Sequence, residues 1–330
     1  MNRQYITICL QTILYCAAAI LCPFLAGIAH AQSYPSKPVR VIVTFPPGAG
    51  TDIATRLVLA KLNETLGWQF VVDNRAGAAG NIGVELAAHA SPDGYTLLAV
   101  TSAAAISQSM YRKAPFNLVR DFAPIALTAA APFILAVHPA VPATSLRELI
   151  ALAKSKRGQL SYATPGTGSS PHLAGELLKI EVGIDMLHVP YKGTVPAVTD
   201  VIAGNVSMAL ANSLVVLPQM RTGRLRAIAI TSAKRNAIAP DLPTIAESGV
   251  PGFESGTWYG LLAPAGTPRN IVSRVNGAVV RALQFADVRE KLNAQGAEPL
   301  SGTPDQVGEF VRSEIVKWGK VVKAAGIRAD

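Results

Sequence analysis

The sequence predicts an α/β protein built as two lobes. Three observations carry that prediction. Short apolar, β-branched runs alternate with helix-patterned stretches from residue 39 onward; turns rich in glycine, proline or serine separate them; and two proline- or glycine-bounded strands lie a domain's length apart. Of the 330 residues 50% are hydrophobic and 15% charged, a composition that folds around a core.

The chain opens with MNRQYITICLQTILYCAAAILCPFLAGIAHAQ: Arg3, an uncharged apolar run, then Ala29-His30-Ala31. These are the parts of a secretory signal, expected over residues 1–31 with cleavage after about Ala31 and a periplasmic destination. The alternative is a membrane anchor, because Gln4 to Gln32 is long enough to span a bilayer. A lipoprotein is disfavoured by the bulky Leu21 before Cys22. Removing 31 of 330 residues leaves 299, without a cysteine, since Cys9, Cys16 and Cys22 all lie in the leader. That excludes cysteine hydrolases, thiol redox enzymes and cysteine-liganded zinc. The formal charge of +9 becomes +8 when Arg3 is lost. No block of five or six basic residues marks a nucleic-acid stripe, and a diffuse positive field suits small anions.

In chain order, VRVIVTF is the first strand, and Ile53, Leu57 and Ala60 give the following stretch helical spacing up to a stop at Gly67. FVVDN and YTLLAV are the next strands. FILAVHP, near 133–139, is read as a strand crossing to a second lobe. There Leu146, Leu149 and Ile150 mark a helix, and LSYAT, MLHVP, VSMALAN and LRAIAIT are strands. WYGLLAP, near 258–264, is read as the crossing back. The stripes of Arg269–Gln284 and Asp305–Ala325 are packing faces, and Trp258 and Trp318 are core or hinge residues. Lobe 1 is thus expected over 32–136 and 259–330, and lobe 2 over 137–258.

Several strand ends carry candidate binding turns. FPPGAGTD, residues 45 to 52, leaves helix-start N–H groups beside a glycine turn, a grip for carboxylate or phosphate. ATPGTGSSPH has the same shape, with hydroxyls on Thr167, Ser169 and Ser170, Pro171 at the helix start and His172 inside it. It is not a P-loop, lacking a lysine, nor a Rossmann fingerprint. Tyr191, Lys192 and Gly193 follow another strand, and Thr101 and Ser102 end one. The turn in DNRAGAAGNIG has the same form, but its glycines are equally suited to close packing. No Gly-x-Ser-x-Gly elbow or His-Glu-x-x-His pair occurs, and His89, His138, His172 and His188 show no metal spacing.

Five stretches, VRVIVTFPPGAGTDIATR, VVDNRAGAAGNIGVELAAHASPDGYTLL, YATPGTGSSPHLAGELL, HVPYKGTVPAVTDVIAGNV and LPTIAESGVPGFESGTWYGLLAPAGTP, resemble the tripartite tricarboxylate transporter substrate-binding proteins, or Bug receptors. The likeness runs from about Tyr34 to Gly326. It implies a type II periplasmic binding protein fold: two α/β lobes, two crossing strands and a ligand cleft. It also implies a receptor that takes up a small carboxylate or related metabolite without cofactor or metal, acts as a monomer and delivers to a membrane permease. Carried onto this sequence, the ligand would be held by Phe45, Gly48, Ala49, Gly50, Thr51 and Asp52 in one lobe. Thr167, Gly168, Ser169, Ser170 and His172 would hold it in the other. Thr101, Ser102, Tyr191, Lys192, Gly193 and Asn212 would complete the wall. The sequence departs from the family pattern at Ala49, where glycine is common, at Thr167, where asparagine is frequent, and at Asn212, often aspartate.

The leading expectation is an exported receptor that closes around a small organic anion and does no chemistry. The alternatives are an exported hydrolase or lyase in the same cleft, with His172 as base, and a sensory receptor for a membrane kinase.

Overall fold

The computed structural model describes residues 34–111, 114–236, 239–294 and 296–328; the expected leader, residues 1–31, lies outside the described residues. From Lys37 onward the chain is one unit. Its first half contains β1 (Val39–Val43), α1 (Gly50–Leu66), β2 (Phe70–Asn74), α2 (Asn81–Ala88), β3 (Thr96–Thr101), α3 (Ser102–Met110) and β4 (Phe122–Val137). Then come α4 (Leu146–Ser155), β5 (Ser161–Thr164), α5 (Ser170–Val182), β6 (Leu187–Pro190), α6 (Thr194–Ile202), β7 (Met208–Asn212), α7 (Ser213–Arg221) and β8 (Arg226–Ile230). The chain closes with β9 (Gly256–Pro264), α8 (Arg269–Ala282), α9 (Ala286–Ala294), β10 (Glu298–Pro299) and α10 (Pro304–Ala325).

Two sheets share one strand. The first runs β2-β1-β3-β9-β4, with β10 on the other edge of β4. The second is built on the end of β4, flanked by β7 and β8, and continues to β5 and β6. β1, β2 and β3 pair in parallel, as do β5, β6 and β7. The sheets are not parallel throughout. At the centre β9 runs antiparallel to β3 and β4, and β4 antiparallel to β7. β4 passes directly from one sheet into the other, with no crossover helix to set a parallel direction.

β4 begins at Phe122, well before the expected Phe133. Pro124, Pro132 and a run of alanines hide its first part, because proline removes a ladder donor. Register shifts between Pro124 and Ala126 and between Leu127 and Ala129 absorb this irregularity. Pairing passes to the second sheet at Phe133, and the returning β9 pairs in the first sheet from Gly256. Thr231 joins the two crossings at this point. Its Oγ accepts the Phe133 N–H at 2.8 Å and donates to the Ser255 carbonyl at 2.6 Å.

The second sheet is buried on both faces. Along β4, Phe133, Leu135 and Val137 enter one core cluster while Ile134 and Ala136 enter another, the period-two signature of a central strand. In the first sheet Ile42, Leu98, Phe122 and Leu262 pack with Trp318 of α10. Trp258 and Trp318 both donate their indole N–H to Glu314 Oε2, at 2.9 and 2.8 Å, fastening α10 to β9.

Candidate functional site

The turn after β1 is braced from beneath. Asp52 is buried, and its carboxylate accepts the Gly48 N–H at 3.1 Å, Arg56 Nε at 2.8 Å and Asn74 Nδ2 at 3.0 Å. Asn74 also donates to the Phe45 carbonyl at 2.9 Å. The N-cap of α1 is Ala49, whose side chain gives no cap bond. Its methyl leaves the first N–H groups of the helix without the usual side-chain acceptor. β3 ends at Thr101, which caps α3 by accepting the Ala103 N–H at 3.1 Å.

The second sheet repeats the device. Ser169 caps α5, accepting the His172 N–H at 3.4 Å, and His172 Nδ1 accepts the Gly168 N–H at 3.2 Å. His172 stacks on His188 at 3.9 Å between ring centroids, and His188 Nε2 lies 2.6 Å from Thr164 Oγ1. Burial pushes the pKa of His172 down to about 4 and that of His188 to about 3, so both imidazoles are neutral at pH 7. After β6, Tyr191 donates its hydroxyl to Asp200, which fixes the ring, and burial with that bond raises its pKa to about 12. Gly193 caps α6 without a side-chain bond, as Asn212 does α7.

These turns enclose two adjoining cavities that share Phe45 and Pro165. The larger, about 760 Å³, lies between Phe45, Pro46 and the Ala76–Gly80 turn on one side and Pro165–Thr167 and Tyr191–Gly193 on the other. The smaller, about 20 Å³, is walled by Ala49–Thr51 and Ala103 from the first sheet's helices, Ser169–Pro171 and Thr194 from the second's, and Thr257 and Tyr259 of β9. The starts of α1, α3, α5 and α6 therefore converge on a space of about one water, bringing four positive helix ends together. Among the described residues neither cavity is lined by a carboxylate, while Lys192 and Arg328 line the larger. Asn212 and Tyr259 line the smaller cavity, and their buried Oδ1 and Oη have no hydrogen-bond partner among the described residues. The arrangement is suited to holding an anion, and it leaves hydrogen-bonding capacity unfilled at one spot.

Of the sequence-predicted residues, Phe45, Ala49, Gly50, Thr51, Thr101, Ser169, Ser170 and Asn212 line the smaller cavity, and Phe45, Thr167, Tyr191, Lys192 and Gly193 the larger. Gly48, Asp52, Ser102, Gly168 and His172 line neither. Asp52 and His172 are engaged in bracing their own turns, and the His172 Nδ1 lone pair needed by a general base already accepts a backbone N–H. Ser102 lies behind the wall, bonded to Ser170 and Thr257. Gly168 has a positive φ of 81°, and a Cβ there would sit 2.7 Å from Met110 Sδ. Sequence reasoning left out Tyr259, Thr257 and Thr194, and left the Ala76–Gly80 turn open between binding and packing; it lines the larger cavity. The signal in that turn is backbone conformation: Ala78 and Ala79 hold positive φ of 47° and 54°, rare for residues with a Cβ.

Two α/β lobes joined by crossing strands, with glycine turns and helix starts facing one another across a cavity, define a periplasmic-type solute-binding protein. The chain belongs to the tripartite tricarboxylate transporter receptor family, which it matches over residues 54–327. It is 39% identical to Protein BugT of Bordetella pertussis over 308 residues, 92% of this chain and 94% of that one. Among solved structures it is similar to Rpa4515 of Rhodopseudomonas palustris with adipate, at TM-score 0.87 and 38% identity over 89% of this chain and 99% of that one. It is also similar to MatC of the same organism with bound malate, at TM-score 0.83 and 34% identity over 88% and 100%.

Proposed function

We propose that this chain is an extracytoplasmic receptor that captures a small organic anion, a carboxylate, between its lobes and presents it to a membrane permease of the tripartite tricarboxylate type. The observation that carries the reading is the convergence of four helix N-termini on the smaller cavity, beside the buried Tyr259, whose hydroxyl has no partner among the described residues. One ligand carboxylate is placed where the larger cavity meets the smaller one, facing the helix-start N–H groups. The rest of the ligand extends toward Tyr191 and Lys192 in the larger one. Adipate and malate, held by the similar proteins, are carboxylates of this kind. Asn212, being neutral, favours a ligand without an ammonium group at this end.

The lobes divide where strand pairing changes, at Pro132/Phe133 and Ser255/Gly256, and closure pivots about Thr231. The ligand touches both lobes only when they are closed, so its binding shifts the population toward that state. A leader cut near Ala31 delivers the chain to the periplasm. The ligand leaves unchanged in this reading: His172 Nδ1 accepts the Gly168 N–H, and the stacked His188 has its Nε2 against Thr164 Oγ1.

Thermal unfolding with a panel of C4 to C6 dicarboxylates tests this after bound ligand has been stripped by unfolding and refolding. A saturable rise in Tm with at least one member is expected. Absence of a rise across the panel contradicts the reading.

A further inference from the structure

We propose that Arg328, just beyond α10, acts with Lys192 to set the specificity of the larger cavity, selecting a ligand with a second acidic group over the matching monocarboxylate. The inference rests on the carboxylate reading above and deepens it. That reading leaves about 760 Å³ for the far end of the ligand, room for a chain and a second head group. Among the described residues, Lys192 and Arg328 are the charged ones on its wall.

Arg328 is positioned by the end of its own helix. Gly326, with φ of 64°, donates its N–H to the Lys323 carbonyl at 3.3 Å, and Ile327 donates to that of Val322 at 3.2 Å, the paired bonds of a Schellman stop. Val322 is buried in the core beside the first sheet, and Ile327 packs against that core, as does Tyr111, which also lines the cavity. The residue after Ile327 is thereby carried to the cavity wall. Lys192 comes from the second sheet. A Cβ on its neighbour Gly193 would stand 3.3 Å from Pro46 Cγ, so its turn lies against the turn after β1. Both cations are exposed, and neither side chain has a hydrogen bond or ion pair with a described residue. Arg40, Arg56 and Lys61, by contrast, are each paired with a carboxylate. Two unpaired cations, one from each sheet's side of a single cavity, favour an anionic group between them. Their attraction for it strengthens as closure excludes water, a gain that an uncharged end group forgoes.

The test compares each linear C4 to C6 dicarboxylate with its own monomethyl ester, which keeps the chain and one carboxylate but lacks the second charge. Calorimetric titration of the stripped wild-type protein should show at least one diacid bound about tenfold or more tighter than its ester. Arg328→Gln should reduce that ratio several-fold, and Arg328→Gln with Lys192→Gln should bring it to about one. The ratio is read within each sample, so a general loss of folding, which lowers both affinities, does not imitate the effect. Diacid and ester bound equally by the wild type, or a ratio untouched in the double variant, overturns this proposal and leaves the carboxylate reading standing. Absence of binding by every diacid and every ester overturns both.

Discussion

The hydroxyl oxygens of Ser102 and Ser170 lie 2.6 Å apart in the protein interior, and Ser102 also reaches Thr257 at 3.0 Å. Ser102 starts a helix on the first sheet, Ser170 one on the second, and Thr257 belongs to the returning strand β9. This trio links helices of both sheets to the returning strand beside the smaller cavity, so under the proposed closure ligand binding and lobe movement share a set of hydrogen bonds. Ser102→Ala removes a hydroxyl that is absent from the cavity wall. It should nevertheless weaken carboxylate binding about tenfold, the size of one lost buried hydrogen bond. Calorimetric titration checks this; an unchanged Kd would separate the trio from closure.

Tyr259 makes the complementary prediction. Its hydroxyl is buried and unpartnered among the described residues, so Tyr259→Phe removes a group that, in the proposed reading, the ligand satisfies. The ligand-free variant should be as stable as wild type or more so, and should bind carboxylate about tenfold less tightly. Urea unfolding and calorimetry on the same sample read the two effects. Loss of stability without loss of affinity would give Tyr259 a purely structural role.

Gly168 is the point of close approach. Its φ of 81° disfavours a side chain, and a Cβ at this position would meet Met110 Sδ at 2.7 Å, so the Met110 side chain must move aside or the two segments must part. Gly168→Ala should shift the protein toward the open form, seen as a larger radius of gyration with saturating ligand in small-angle scattering. Met110→Ala in the same chain should restore part of the compaction, the remaining cost being the backbone strain of about 1 kcal/mol. A Gly168→Ala variant as compact as wild type would contradict this.

The stacked imidazoles give a pH dependence with a defined sign. Desolvation depresses His172 to about 4 and His188 to about 3, below the ordinary value of 6.5. The unfolded chain therefore binds more protons than the folded one below pH 6.5. Their contribution is complete above that pH and is lost as pH falls through 6.5 toward the folded values. For buried His172 the loss between pH 7 and 5 is on the order of 2 kcal/mol. Urea unfolding at several pH values checks it, and His188→Gln should flatten the slope. A flat wild-type profile between pH 7 and 5 would mean the imidazoles are solvated.

Parts of this site were readable in advance and parts were not, for physical reasons. The turns at Phe45–Thr51 and Thr167–Ser170 were readable because a glycine turn before a helix start has a local signature. Asp52 and His172 have the residue types of a site, yet each is bonded to a backbone N–H four residues away; chemistry alone does not say which way a side chain turns. Tyr259 and Thr257 read as ordinary strand residues, since their place at the cavity depends on β9 pairing with β3, some 160 residues earlier in the chain. The long strand β4 was half hidden because its prolines lie where register shifts accommodate them, a feature without a local pattern.

The central claim is that the converging helix starts grip a small carboxylate between the lobes. Calorimetric titration of the stripped protein with adipate, malate and related C4 to C6 dicarboxylates tests it most directly. The account predicts one-to-one saturable binding of at least one of them, tenfold weaker in Tyr259→Phe, with the ligand recovered unchanged. Absence of binding heat for every member at several temperatures, or binding indifferent to Tyr259, Ser102 and Gly168 alike, would contradict it.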